Sequence, residues 1–178
     1  NANLKARMLE VYASGGFVTL HHHSANPVNN SIANSLAGGA GGNHQDRTGS
    51  PVAACVTGGS KRAEFIAYCD RLAAFLNDLT LDGVKCPVIL RWFHEINGEF
   101  FWWNGSDRRV DCVQMFKDLI DRLKAQGVTN ALYSLNFEVS APDANIANWY
   151  LGDDYLDFVS GLAVKGPVCQ IPLKGSQQ

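Results

Sequence analysis

Apolar positions along this chain alternate between two periods. Over residues 3–14, Leu4, Met8, Val11 and Tyr12 recur at helical spacing, and Gly15-Gly16 ends the run. The apolar run Phe17-Val18-Thr19-Leu20 follows and reads as a buried strand ending in His21-His22-His23. Residues 24–59 are rich in Asn, Gly and Ser, include Gly38-Gly39-Ala40-Gly41-Gly42, and read as one long loop. Periodicity returns over residues 60–79, where Phe65, Cys69, Leu72, Leu76 and Leu79 form a single helical stripe. Pro87 opens a strand over 88–93. A helix over 108–126 carries Cys112, Phe116, Leu119 and Leu123 on one face and stops at Gly127. Strands are predicted at 131–135 and 155–159, with a short helical turn between them near 145–149.

Apolar strands alternating with amphipathic helices predict an α/β fold with a parallel sheet. The length of 178 residues fits one domain with a sizeable core. Composition narrows the function class. With 46% hydrophobic and 18% charged residues the chain is no disordered tail, and a formal net charge of −2 leaves no basic surplus to neutralise phosphates. Neither nucleic acid nor a membrane is an expected partner, since no apolar run approaches the ~20 residues of a membrane helix. The glycine-rich stretch lacks the Gly-Lys-Ser/Thr ending of a phosphate loop.

The cysteines Cys55, Cys69, Cys86, Cys112 and Cys169 form no C-x-x-C pair, which argues against structural zinc. An odd count leaves at least one without an intrachain partner. Two readings stay open: buried thiols in a reduced protein, or a secreted protein with up to two bridges. The sequons Asn29-Asn30-Ser31 and Asn104-Gly105-Ser106 would suit secretion. Three consecutive histidines raise the question of a metal. Neighbours on a strand point to opposite faces, so only His21 and His23 share a side, and no carboxylate follows closely. No metal and no cofactor are expected.

The chemistry concentrates in residues 91–103. A strand ends in His94-Glu95, and Phe100-Phe101-Trp102-Trp103 follows after Asn97-Gly98. In a barrel of βα units, the C-terminal ends of strands carry the catalytic groups. A carboxyl group walled by aromatic rings is partly desolvated, and desolvation suits it to act as an acid near neutral pH. Trp102 and Trp103 offer flat apolar faces on which sugar rings could stack.

Arg91, His94, Glu95, Asn97 and Gly98, with the four aromatics after them, resemble the strand-four motif of glycoside hydrolase family 26, the retaining β-mannanases and related endo-β-glycanases. Phe100 stands where that motif has Trp. Three further stretches agree in order: Gly15 to Leu20 with His23, Asn26 and Pro27; Tyr133-Ser134-Leu135-Asn136; and Trp149 through Asp157. The resemblance covers about residues 1–160. It implies a partial or shortened (β/α)8 TIM barrel, about strands three to six, in a single glycoside-hydrolase-like domain. It implies a secreted protein acting on a polysaccharide or oligosaccharide, mannan by default. Glu95 is then the general acid/base. His23 and His94 line the subsite of the reacting sugar, Trp102 and Trp103 are stacking platforms, and Asn97 and Asn136 are polar substrate contacts.

A retaining glycosidase also needs a nucleophilic carboxylate, which the family places at the end of strand seven. No Glu follows Glu138, and residues 161–178 contain no acid. Three explanations follow. The chain is part of a longer enzyme; or it keeps the sugar cleft as a noncatalytic carbohydrate-binding or self-assembling protein; or Glu138 substitutes as the second carboxylate, with an inverting mechanism at larger separation. A complete barrel takes about 250 residues, so the length is short for the fold the motifs imply. An open barrel fragment leaves parallel edges unpaired. If the chain is complete, it is expected to be a homo-oligomer or filament.

Overall fold

The structure is a computed structural model that describes residues 2–29, 44–141 and 145–162. Cys169, the glycine-rich stretch at 38–42 and the sequon residues Asn30 and Ser31 lie outside the described residues. In chain order the elements are α1 (Ala2–Ala13), β1 (Val18–Leu20), α2 (Pro51–Cys55), α3 (Arg62–Asp78), β2 (Thr80–Leu81), β3 (Val84–Lys85), β4 (Val88–Leu90), α4 (Arg109–Ala125), β5 (Ala131–Glu138) and β6 (Phe158–Leu162), with 3-10 turns at Ser106–Arg108 and Ile146–Asn148.

Four strands form one sheet in the order β1-β4-β5-β6, and every pairing is parallel. The predicted alternation of strands and helices is therefore present. Helices α3 and α4 cover one face of the sheet. Their stripes, Phe65, Leu72 and Leu76 on α3 and Phe116, Leu119 and Leu123 on α4, pack against Val88, Leu90, Leu135 and Phe137. Asn130 joins the layers where β5 begins: its amide donates to the carbonyls of Leu76 and Cys86, at 2.9 Å each.

Several boundaries differ from the sequence reading, each for a local reason. The strand predicted at 88–93 ends at Leu90. Arg91 still donates its N–H to Leu20 at 2.9 Å, but Phe93 turns to a φ of 49° and leaves the ladder. Strand β5 runs past 135 to Glu138 because β6 pairs with it from Ser134↔Phe158 to Glu138↔Leu162. Strand β6 starts three residues later than expected, after Asp157 has closed a two-way bond with Tyr133: its Oδ2 accepts the Tyr133 N–H at 2.7 Å and its N–H donates to the Tyr133 carbonyl at 2.9 Å. The hairpin β2–β3 was not anticipated. Asp82 and Gly83 both take positive φ, 51° and 79°, as a two-residue type I′ turn requires. The long loop at 24–59 is interrupted by α2, which begins on Pro51.

Cys55, Cys69, Cys86 and Cys112 are free and buried. Burial pushes the Cys55 and Cys112 thiols up to about 12, so neither is a thiolate at neutral pH. These four thiols form no bridge, which says nothing of the compartment.

The other face of the sheet is where a barrel interior would be. Leu132 and Phe158 lie there at 38% and 36% exposure. Ser134, Asn136 and Glu138, further along β5 on the same face, are buried. That face is thus open near the strand starts and closed near the strand ends. The two faces should differ in stability cost. Phe116→Ala is expected to destabilise the fold by about 3–5 kcal/mol through lost burial and a residual cavity. With the interior face uncovered, as in this chain by itself, Leu132→Ala is expected to cost less than Phe116→Ala. Urea denaturation of both variants checks this, and equal costs would contradict the assignment of faces.

Candidate active site

The ends of β1, β4 and β5 meet at one edge of the sheet, and alternation decides what each presents. On β1 and its extension, His21 and His23 turn to the interior face. His22 turns outward, stacks on Trp92 with ring centroids 5.5 Å apart, and its Nδ1 lies 3.0 Å from the Tyr68 hydroxyl on α3. Beyond β4 come Arg91, His94 and Glu95, and β5 brings Asn136 and Glu138.

Two residues flanking His94 are left-handed: Phe93 at φ 49° and Glu95 at φ 55°. Non-glycine residues reach this region at a cost, so the surroundings must hold them there. Phe93 is held by its ring, which meets Phe116 edge to face at 5.8 Å and Trp102 at 6.1 Å. Glu95 is held by its backbone. Its N–H donates to Asn136 Oδ1 at 3.1 Å, and its carbonyl accepts from Asn104 Nδ2 at 2.9 Å. Its side chain is left half-buried. Burial and the charge of Glu138 raise the Glu95 carboxyl above its usual range, against the pull of Arg91.

Asn136 is the hub of this end. Its Oδ1 also accepts from Arg91 Nη2 at 2.7 Å, its Nδ2 donates to Ser160 Oγ at 3.0 Å, and its own carbonyl accepts from the Ile96 N–H at 3.1 Å. Both ends of the amide are engaged, so the expected role as a polar substrate contact is replaced by a positioning role. Asn97 is corrected in the same way. It is fully buried, its Nδ2 donates to the Glu138 carbonyl at 2.9 Å, and its Oδ1 accepts from the Glu138 N–H at 2.8 Å.

Trp102 and Trp103 are also corrected. Both have 0% exposure and show no face to a sugar. Trp102 Nε1 donates to the Ser24 carbonyl at 2.8 Å, and Trp103 Nε1 donates to the His94 carbonyl at 3.0 Å. They plug the space behind the strand ends and satisfy carbonyls there, which Phe could not do. Of the four aromatics, Phe100 is the exposed one. It lies against Gly98, where an added Cβ would come within 2.9 Å of the Phe100 ring. Asn104 of the second sequon is fully buried with its amide donating to Glu95, so it is no glycosylation acceptor in this fold.

The histidines form a layer. His94 Nε2 lies 3.2 Å from His23 Nε2, so one of the two rings must carry the proton between them. His21 stacks on His94 at 5.0 Å and meets Arg91 Nη1 at 3.3 Å, and His44 adds a ring 4.9 Å from His23. His94 is buried, and its Nδ1 has no partner among the described residues. His23 is half-buried and His21 exposed. No group of three or more His, Cys, Asp or Glu with metal-holding geometry occurs among the described residues. The sequence reading gave no role to His21, Arg91 or Phe100. The alternation of the triple histidine and the Phe-for-Trp departure were the available signals.

Burial, with the cationic potential of His23, His21, Arg91 and His44 adding to it, lowers His94 to about 3. An unfolded His titrates near 6.5. Between those values the unfolded chain binds the extra proton, so stability falls as pH drops through this window. His94→Gln is expected to flatten the slope of Tm against pH over that range, while the depressed His21 and His23 keep part of it. An unchanged slope in the variant would show that His94 is not neutral in the fold.

Comparisons with known proteins bear on the fold and the family. The chain is similar to a solved β-mannanase of this fold class from Bacteroides ovatus, with 30% identity and a TM-score of 0.76 over 90% of this chain and 44% of that one. It is similar to the catalytic domain of an endo-β-1,4-mannanase from Bacillus sp. JAMB-750, with 31% identity and a TM-score of 0.75 over 90% of this chain and 40% of that one. A mannan endo-1,4-β-mannosidase of Bifidobacterium adolescentis is 27% identical over 165 residues, which are 88% of this chain and 15% of that protein. The chain therefore spans less than half the length of these relatives, and its parallel sheet is part of a (β/α)8 barrel. The description Glycosyl hydrolase family 26 matches residues 3–171, and the chain belongs to that family.

Proposed function

We propose that this chain carries the acid/base half of a retaining endo-β-mannanase. The observation that supports it most is Glu95 itself. It is a half-buried carboxylic acid on a left-handed residue at a parallel strand end, with its backbone held on both sides and its carboxyl raised toward the neutral form. A carboxyl group kept protonated can give its proton to the glycosidic oxygen as the bond to the anomeric carbon breaks.

In the retaining mechanism a second carboxylate attacks the anomeric carbon from the opposite side and forms a glycosyl-enzyme intermediate. Glu95, now ionised, takes a proton from the incoming water. The resulting hydroxide equivalent displaces the enzyme carboxylate and restores the protonated acid. In a longer polypeptide the nucleophile would come from strand seven, as the family resemblance implies. By the family resemblance His23 and His94 line the subsite of the reacting sugar, and their Nε2 atoms lie 3.2 Å apart. A polysaccharide substrate is met outside the cell, and this reading carries secretion with it.

The edges β1 and β6 and the open half of the interior face need a cover. In a longer polypeptide the other barrel units supply it. If the chain stands alone, a second copy does, and size-exclusion chromatography is expected to show a multimer. A monodisperse species of 19.4 kDa that unfolds cooperatively would overturn self-assembly.

The catalytic reading is tested by reducing-sugar release from mannan, β-1,3-xylan and mixed-linkage glucan, using the natural polypeptide that contains this chain. Glu95→Gln is expected to lower kcat on mannan by about 10²–10⁴-fold. Wild-type kcat/KM is expected to fall as pH rises through the Glu95 pKa, because the first step needs the protonated acid. Mannan binding without turnover in either protein would favour the carbohydrate-binding reading. Turnover that survives in Glu95→Gln would remove Glu95 from the mechanism.

A further inference from the structure

We propose that Arg47, on the long loop before α2, is a positioning residue for the acid: it closes the aromatic loop from outside and so fixes the Asn104 amide that holds the Glu95 carbonyl. This rests on the reading of Glu95 as the acid and deepens it.

The residues after Glu95 fold back on it. Asn104 is fully buried, its Nδ2 donates to the Glu95 carbonyl at 2.9 Å, and its Oδ1 accepts from the Phe101 N–H at 2.9 Å. One amide thus ties the end of the aromatic loop to its start and its middle. Such a brace is only as firm as the backbone that carries it, and residues 99–105 lie in no helix or strand. Glu99 closes part of that gap: its Oε1 accepts from the Ser106 N–H at 2.9 Å and from the Ser106 hydroxyl at 2.7 Å.

Arg47 closes the rest. Its Nη1 donates to the Glu99 carbonyl at 2.6 Å, and its Nη2 to the Asn104 carbonyl at 3.4 Å and to Asp107 Oδ1 at 3.1 Å. The Glu99 carboxylate lies 3.3 Å from Nη2. A planar guanidinium spans both sides of the loop at once, which an ammonium group does not. Gly105, at a φ of 130°, leaves room for it, since an added Cβ would collide with Arg47 Nη2. Arg47 is itself held in place. The buried Asn26 amide, beyond β1, donates to the carbonyls of Asp46 and Thr48 at 2.8 and 3.0 Å, and the His44 carbonyl accepts from the Trp102 N–H at 3.0 Å. Glu95 is thereby linked to the end of β1 through Asn104, Arg47 and Asn26 in turn. None of these Arg47 bonds reaches Glu95, so Arg47 acts through Asn104.

The test has two arms, both on the natural polypeptide that contains this chain. The first follows amide hydrogen exchange peptide by peptide. Arg47→Ala is expected to speed exchange in residues 95–104 and to leave α3 and α4 unchanged. Exchange that stays slow at 95–104, or that rises in the helices as well, overturns the proposal. The second arm compares two substrates. The leaving oxygen of mannan needs a proton, whereas dinitrophenolate leaves without one. Arg47→Ala is expected to lower kcat/KM on mannan by up to about 10²-fold and to leave kcat/KM on dinitrophenyl β-mannobioside near wild type. Loss of folded protein would lower both alike, so equal losses, or no loss, overturn the proposal. Arg47→Lys keeps the cation without the fork and is expected to show the same split with a smaller loss; it carries both arms if Arg47→Ala does not fold. Glu95→Gln is expected to split the two substrates as well. If it does not, the acid/base reading fails and the positioning role falls with it. If Glu95→Gln splits them and Arg47→Ala does not, only the proposal for Arg47 fails.

Discussion

Where a strand leaves a parallel sheet, its last N–H and C=O groups lose their ladder partners, and buried groups of that kind must find others. The arrangement of the strand ends in this protein follows from how that demand is met. Asn136 takes the Glu95 N–H, Asn97 takes both backbone groups of Glu138, Asn104 takes the Glu95 carbonyl, and Trp103 takes the carbonyl of His94. Each acts through a side-chain amide or an indole N–H, because no neighbouring strand reaches that far. The same bonds that remove the desolvation cost set the direction of the strand ends. Side-chain geometry and backbone satisfaction are one problem here.

That constraint explains the aromatic loop. A hydrophobic plug could be built from Phe or Leu alone. Trp102 and Trp103 are used because each fills the volume behind the strands and donates one N–H to a carbonyl there. Phe93 completes the plug from the strand side, and its left-handed backbone is stabilised by the rings around it. With Phe93 and Glu95 both turned this way, His94 between them is drawn into the interior against His23. The strain sits beside the acid and is offset by packing further back.

The helices and the order of strands were legible because their signal is local. Phe65, Cys69, Leu72 and Leu76 bury one face of α3 whatever the sheet beyond them looks like. His22 was also legible, since a period of two must turn it away from His21 and His23. The tertiary roles were not. Nothing in the order Phe100-Phe101-Trp102-Trp103 says that the first ring is exposed and the last two are buried. That outcome depends on Ser24 and His94 carbonyls supplied from other strand ends. Asn97 and Asn136 looked like substrate contacts because family motifs record which residues occur, and an amide that binds sugar and one that binds backbone leave the same letter. The β2–β3 hairpin did carry a local signal, Asp82-Gly83, and a two-residue turn should have been read from it.

The site also bears on what a half-barrel can do. Burial along β5 runs from Leu132, open on the interior face, to Asn136 and Glu138, closed on it. The closed part is covered by this chain's own loop, since residues 95–97 lie over the strand end and are bonded to it. Glu95 is therefore held by the ends of β4 and β5, with Ser160 of β6 fixing the Asn136 amide that takes its N–H. On the proposed reading, the opposing carboxylate and the cover for the open half come from outside the described residues. A retaining mechanism divides along the same line: protonation and water activation come from one carboxyl group, covalent capture from another. On the proposed reading the first role falls to Glu95, and the hydrogen bonds that hold its backbone all come from described residues of this chain.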